Sequence, residues 1–129
     1  MDKKVKAEYM NESFWEKLDS IISLSKIIID RPKGSLHPKY PSMIYPVDYG
    51  YLKDTSGGDG NEIDIWIGSK EGKNLESIAC TVDILKKDTE IKLLIGCTES
   101  DEQEIISFLN NNGYMSAILI KRNSGFRKL

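Results

Sequence analysis

The chain has 129 residues, 40% of them hydrophobic, and a net charge of −2. That length fits one compact domain that buries a core without disulfide staples, and the mixed, nearly balanced charge leaves no basic footprint for nucleic acid. No apolar run is long enough to span a bilayer, and the charged start Met1-Asp2-Lys3-Lys4 has no apolar stretch behind it, so a cytoplasmic protein without a membrane partner is expected.

Ser13 and Glu16 read as a capping box that opens a helix over 13–24, with Phe14, Leu18, Ile21 and Ile22 on the stripe that packs down. The β-branched run 26–30 predicts a short strand that stops at Pro32. Pro32, Gly34, Pro38 and Pro41 then make 31–41 a stiff surface loop. His37, the only histidine, lies in that loop, where a plain surface position and a phosphate contact both fit it. Residues 45–52 predict a strand with Pro46 near its start, where a missing donor is tolerated; 55–60 predict a turn and 62–67 the next strand. Ile78, Cys80, Val82 and Ile84 alternate, a turn over 86–89 reverses the chain, and 90–97 form the returning strand. Lys86 and Lys87 read as an exposed pair at that hairpin. Ser100 with Gln103 suggests a second capping box, opening a helix that buries Ile105, Ile106 and Leu109 and ends at 110–113. Residues 114–120 form a last strand before a basic tail. Cys80 and Cys97 both fall inside apolar runs, which favours buried free thiols over a disulfide or a metal pair.

The expected organisation is a single domain over 1–129, with a helical extension at 1–25 and a barrel core with one helix at 26–121. Short strands at close spacing predict a mainly β, α+β fold, a small closed or half-closed barrel flanked by helices.

The chemistry concentrates between Tyr45 and Ile65. Alternation along 62–67 sends Glu62, Asp64 and Trp66 to one face and Ile63, Ile65 and Ile67 to the other. Carboxylates on the open face and rim of a sheet supply the oxygen ligands a hard divalent cation takes; a solvated turn and polar sheet face is the plainer alternative. The segment is not an EF-hand, since Asp64 stands where that loop needs glycine. Gly57-Gly58-Asp59-Gly60 lacks the Lys-Ser/Thr of a nucleotide-phosphate loop.

Asp48-Tyr49-Gly50-Tyr51, followed by Asp59-Gly60-Asn61-Glu62-Ile63-Asp64, resembles the signature of the soluble family I inorganic pyrophosphatases. There an Asn-Tyr-Gly-aromatic strand precedes Asp-Gly-Asp-Pro-hydrophobic-Asp. The resemblance implies a five-stranded Greek-key barrel of the OB type and Mg²⁺-dependent hydrolysis of pyrophosphate, with Mn²⁺ as the alternative cation. By the same resemblance Asp59 and Asp64 are metal ligands, Asp88 and Glu90 match a further metal-binding pair, and Lys92 and Tyr49 match phosphate contacts. Lys39-Tyr40 resembles the start of a Lys-Tyr-Glu triplet, and Arg31 is a candidate for phosphate charge that the family draws from an arginine this chain lacks. Asn61 replaces the middle aspartate, which in the family takes the proton of the attacking water; an amide has no charge and is not a base. Glu62 next door is the candidate substitute, provided the turn is reshaped, because adjacent side chains of an extended strand point apart.

Two readings of function follow. One is a weakened pyrophosphatase with catalytic candidates Asn61 and Glu62; the other is a pyrophosphatase-like protein that holds a metal or small phosphorylated ligand without useful turnover. An OB-type nucleic-acid module fits the aromatics, but its acidic strand face would repel phosphate. Homo-oligomerisation stays open.

Overall fold

A computed structural model of the chain describes residues 3–122, with side chains from residue 11 onward. Helix α1 (Lys3–Leu24) is followed by strands β1 (Ile27–Arg31), β2 (Asp48–Leu52), β3 (Ile63–Ile67), β4 (Leu75–Asp83) and β5 (Asp88–Ile95), helix α2 (Glu99–Leu109) and strand β6 (Met115–Lys121). The strands form one sheet in the order β1-β2-β3-β5-β4-β6. All neighbours are antiparallel except β3 and β5. β1 and β6 are edges that do not pair with each other, so the expected five-stranded barrel is instead an open six-stranded sheet.

Alternation places a core on each face. On one face Trp15 of α1 packs with Leu52, Ile65, Ile78, Leu93 and Ile95, supported by Leu18 and Ile22. On the other, Ile105 and Leu109 of α2 pack with Trp66, Leu94, Ala79, Ala117, Tyr45 and Val47. Isoleucines 63, 65 and 67 thus share the α1 face and Trp66 faces α2, as the pattern predicts.

Several boundaries differ from the sequence expectation. α1 begins ten residues before Ser13, whose hydroxyl accepts from Lys17 Nζ at 2.7 Å inside the helix instead of capping it. In the longer helix the packed stripe runs through Trp15, Leu18 and Ile22, while Phe14 and Ile21 are exposed. The cap of α2 is Thr98, not Ser100. Thr98 Oγ1 accepts from Asp101 N at 3.0 Å, and Asp101 Oδ2 accepts from Thr98 N and from both Ser69 N and Oγ, tying the helix start to the end of β3. The β4–β5 turn occupies 84–87, with Lys87 at φ 58° and Asp83 Oδ1 accepting from Leu85 N and Lys86 N. Asp88 therefore starts β5, and Asp88, Glu90 and Lys92 alternate onto the α2 face. Both thiols are free, Cys97 buried and Cys80 half-buried. Among the described residues no helix is long and apolar enough to cross a membrane.

β1 lies unusually close to β2. A Cβ at Gly50 would stand 1.8 Å from the Ile28 carbonyl oxygen, so only glycine permits the pairing of Ile29 with residue 50. Gly50→Ala is expected to displace β1 and destabilise the protein by about 3 kcal/mol or more, above ordinary overpacking. Urea unfolding tests this; a loss below about 1 kcal/mol would show that β1 yields freely.

Candidate active site

A cavity of about 300 Å³ opens on the α2 face, over β2, β3 and β5. Pairing explains its walls. Tyr49 stands opposite Trp66 and Tyr51 opposite Asp64, so all four share a face, and the parallel match of Trp66 with Leu94 puts Lys92 beside Asp64. β1 contributes through a bulge. Ile29 pairs with Gly50 and Arg31 with Tyr49, leaving Asp30 as the extra residue, and this slip turns Arg31 onto the same face as Tyr49. Arg31 Nη1 then donates to the Tyr45 hydroxyl, and its guanidinium lies 5.6 Å and 5.9 Å from the Tyr45 and Tyr49 ring centres.

Lys92 is the centre of the cavity floor. Only 5% exposed, it reaches Asp64 Oδ2 at 2.7 Å, Tyr49 Oη at 2.9 Å and Glu90 Oε2 at 3.8 Å. Burial disfavours its charge, but the facing Tyr49, Asp64 and Glu90 outweigh that and raise its pKa above the ordinary lysine value. Burial likewise drives the Tyr49 hydroxyl upward, so Tyr49 stays a neutral phenol.

Beside this pair, Asp59, Asp88 and Glu90 each place a carboxylate oxygen within 4.8 Å of the others. Burial, with Asp64 and Asp59 nearby, pushes the Glu90 carboxyl up to about 7 despite the opposing pull of Lys92. Asp59 keeps a pKa below the usual carboxylate value, because hydrogen bonds from Asn61 and Glu90 overcome the effect of burial. Three hard oxygen donors this close fit a Mg²⁺-type cation, which would bind the deprotonated carboxylates and takes oxygen ligands at about 2.0–2.1 Å. A carboxyl raised in the folded state favours the fold at low pH and loses that contribution as pH climbs from 4.5 to about 7. Cation binding needs Glu90 deprotonated, so the rise in Tm caused by Mg²⁺ or Mn²⁺ is expected to grow between about pH 6 and 8 and then level off. Glu90→Gln should remove both effects in thermal melts; a pH-independent rise in the wild type would contradict this.

The structure gathers some sequence candidates and separates others. Asp59, Asn61, Asp64, Glu90, Lys92, Tyr49 and Arg31 line the cavity. Asp88 joins through the carboxylate cluster, whereas Asp64 is engaged by Lys92 and stands outside that cluster. Asn61 is exposed and acts as a donor, its N–H to Asp59 Oδ1 at 3.0 Å and its Nδ2 to Asp59 Oδ2 at 3.4 Å. Neither Glu62 nor Lys39 is among the lining residues; Lys39 is exposed, and its N–H donates to His37 Nδ1. The wall also includes His37, Lys86, Tyr45 and Phe108. Lys86 is exposed yet borders the cavity, so the hairpin lysines are not both remote from the site. His37 carried the signal of being a lone histidine between prolines, but its direction depends on the loop's fold. A larger groove of about 640 Å³ on the opposite face is lined chiefly by apolar residues such as Leu18, Ile63, Val82, Ile91 and Ile118.

The fold is that of the inorganic pyrophosphatases. Aligned with the inorganic pyrophosphatase of Coxiella burnetii, 74% of this chain covers 84% of that one, at 14% identity and a TM-score of 0.58. The Neisseria gonorrhoeae enzyme gives 74% and 81% coverage, 17% identity and 0.56. The Helicobacter pylori enzyme gives 76% and 83%, 15% and 0.55. At these identities the likeness is one of fold. No protein-family model matches the chain, and no curated protein matches it.

Proposed function

We infer that this cavity binds a divalent cation together with pyrophosphate, in the cytoplasm, and hydrolyses the phosphoanhydride slowly. The observation that carries the reading is the buried Lys92–Tyr49–Asp64 network beside the Asp59–Asp88–Glu90 cluster, whose Asp59 and Glu90 line the same cavity, in a pyrophosphatase fold. Asp59, Asp88 and Glu90 would hold the cation, Mg²⁺ by donor chemistry with Mn²⁺ as an alternative. When bound, such a cation neutralises phosphate charge and acidifies water. Lys92 and the Tyr49 hydroxyl supply fixed donors for phosphate oxygens. Both are held before the ligand arrives, so little reorganisation is needed as charge develops. Arg31 adds a guanidinium from β1, beside the Tyr49 ring. Asn61 orients Asp59 but takes no proton, which accounts for a slow reaction.

A second reading, binding without turnover, is favoured by that same role of Asn61 and by the placement of Glu62 outside the lining. One experiment separates the two and tests both: phosphate release from pyrophosphate, and calorimetric binding of a non-hydrolysable diphosphonate, on metal-stripped protein with and without Mg²⁺. Cation-dependent release supports the enzyme. Cation-dependent binding with no release supports the second reading, and neither signal refutes the site.

A further inference from the structure

The proline-rich segment between β1 and β2 is not a plain surface loop. Gly34 N–H donates to Tyr45 O at 2.9 Å, Tyr45 N–H to Ser35 O at 3.0 Å and His37 N–H to Met43 O at 2.9 Å, and Leu36 bridges Ile44. This irregular hairpin turns Leu36 and Ile44 outward, both 57% exposed, and lays His37 on the cavity wall. The imidazole is held on several sides. Its ring is nearly parallel to Tyr45 (3°, 6.1 Å between centres) and also meets Tyr40 at 5.1 Å and Phe108 at 6.4 Å. His37 Nδ1 accepts from Lys39 N–H at 3.0 Å and Tyr40 N–H at 3.2 Å. A nitrogen that accepts two backbone donors carries no proton, so those contacts assign the proton of the neutral ring to Nε2, which becomes a fixed N–H donor.

The cations around it have no close ion-pair partner, Arg31 feeling only the more distant charge of Asp30. Among the described residues no carboxylate lies within ion-pair distance of Arg31, Lys39 or Lys86, whereas Lys92 has two. Burial and then Arg31, Lys39 and Lys86 hold the His37 pKa below its ordinary value. These three cations add to burial in keeping His37 neutral, and their grouping around it gathers positive charge at one spot, in a chain whose net charge is −2. An anion relieves that potential.

We propose that His37 Nε2–H, with Arg31 and Lys86, forms an anion subsite for the second, unesterified phosphoryl group of a small diphosphate, whose first group lies at Lys92 and the acidic cluster. The subsite rests on the functional reading above and assigns residues to the group of the ligand that Lys92 and the acidic cluster do not hold. Both ends of one cavity are chemically furnished, the acidic one through a cation and the loop end by fixed donors. Orthophosphate satisfies one end only; a diphosphate satisfies both.

The test uses the full chain without a tag, because His37 is the only histidine and every imidazole ¹⁵N signal belongs to it. The free protein near pH 7 should show the Nε2–H tautomer. With Mg²⁺ present, methylenediphosphonate should shift the Nε2 signal strongly and orthophosphate should not. By calorimetry His37→Ala should weaken methylenediphosphonate about 10- to 100-fold, the loss of a hydrogen bond to a charged group, and leave orthophosphate within about twofold. His37→Gln, which restores an N–H donor, should recover part of the loss. The proposal is overturned by an unmoved Nε2 signal on diphosphonate binding, by unchanged affinity in His37→Ala, or by equal weakening of both ligands, which would mean loop collapse. If the wild type binds neither ligand with Mg²⁺, the cavity reading itself fails and the subsite falls with it.

Discussion

Asn61→Asp is expected to raise Mg²⁺-dependent phosphate release from pyrophosphate by about 10²–10⁴-fold, the usual contribution of a placed general base. Asn61 stands beside Asp59 as a donor, with Nδ2 3.4 Å from Asp59 Oδ2. An aspartate there is nearly isosteric and supplies the proton acceptor the amide lacks. It also brings a second carboxylate close to Asp59, so the metal-free variant should melt lower than the wild type and gain more from Mg²⁺. Glu62 lies outside the cavity lining, and Glu62→Gln should leave the rate within about twofold. Initial rates on metal-stripped, Mg²⁺-reloaded proteins check both substitutions. If Glu62→Gln abolished activity while Asn61→Asp changed little, the turn would be reshaped in solution and Glu62 would be the base. If neither substitution moved a silent wild type, binding without turnover would take precedence.

Lys92→Met should destabilise the protein by roughly 3 kcal/mol, the low end of what removing one partner of a buried ion pair costs. The low end applies because the Lys92 side chain is 6% exposed but Asp64 keeps 24% in water. The remaining Asp64, Glu90 and Asp59 carboxyls would face one another without a compensating charge, and the Tyr49 hydroxyl would lose its donor. Guanidinium unfolding gives the comparison, and Lys92→Met combined with Asp64→Asn should recover part of the loss, since the two side chains act as a pair. A single substitution within about 1 kcal/mol of wild type would show that the ion pair is solvated. Methionine fills similar space, so cavity formation contributes little to the difference.

The order of elements was legible because local chemistry dictates it. The alternation of Glu62 to Ile67 placed Trp66 and the isoleucines on opposite faces, and both faces are capped by helices as that pattern requires. Boundaries were less legible. Ser100-x-x-Gln103 read as the cap, but Thr98 caps the helix instead, because Asp101 also accepts from Ser69 just after β3, a partner distant in sequence that no local pattern reveals. The turn at 84–87 was displaced for a similar reason: Asp83 accepts from Leu85 and Lys86 and sets the register that makes Asp88 a strand residue.

The residue types of the site, its carboxylates, Lys92 and Tyr49, were determined by the sequence itself, since a motif fixes which groups occur and at what spacing. Their partners were decided only in three dimensions. That Lys92 engages Asp64 and leaves Asp59, Asp88 and Glu90 together follows from the parallel register of β3 on β5, a pairing of segments far apart in the chain. That Arg31 faces Tyr49 follows from one extra residue in β1, since a single-residue slip reverses every side chain beyond it. His37 reaches the cavity because the loop's backbone hydrogen bonds close on residues 43–45, and no periodicity in a proline-rich segment encodes that direction.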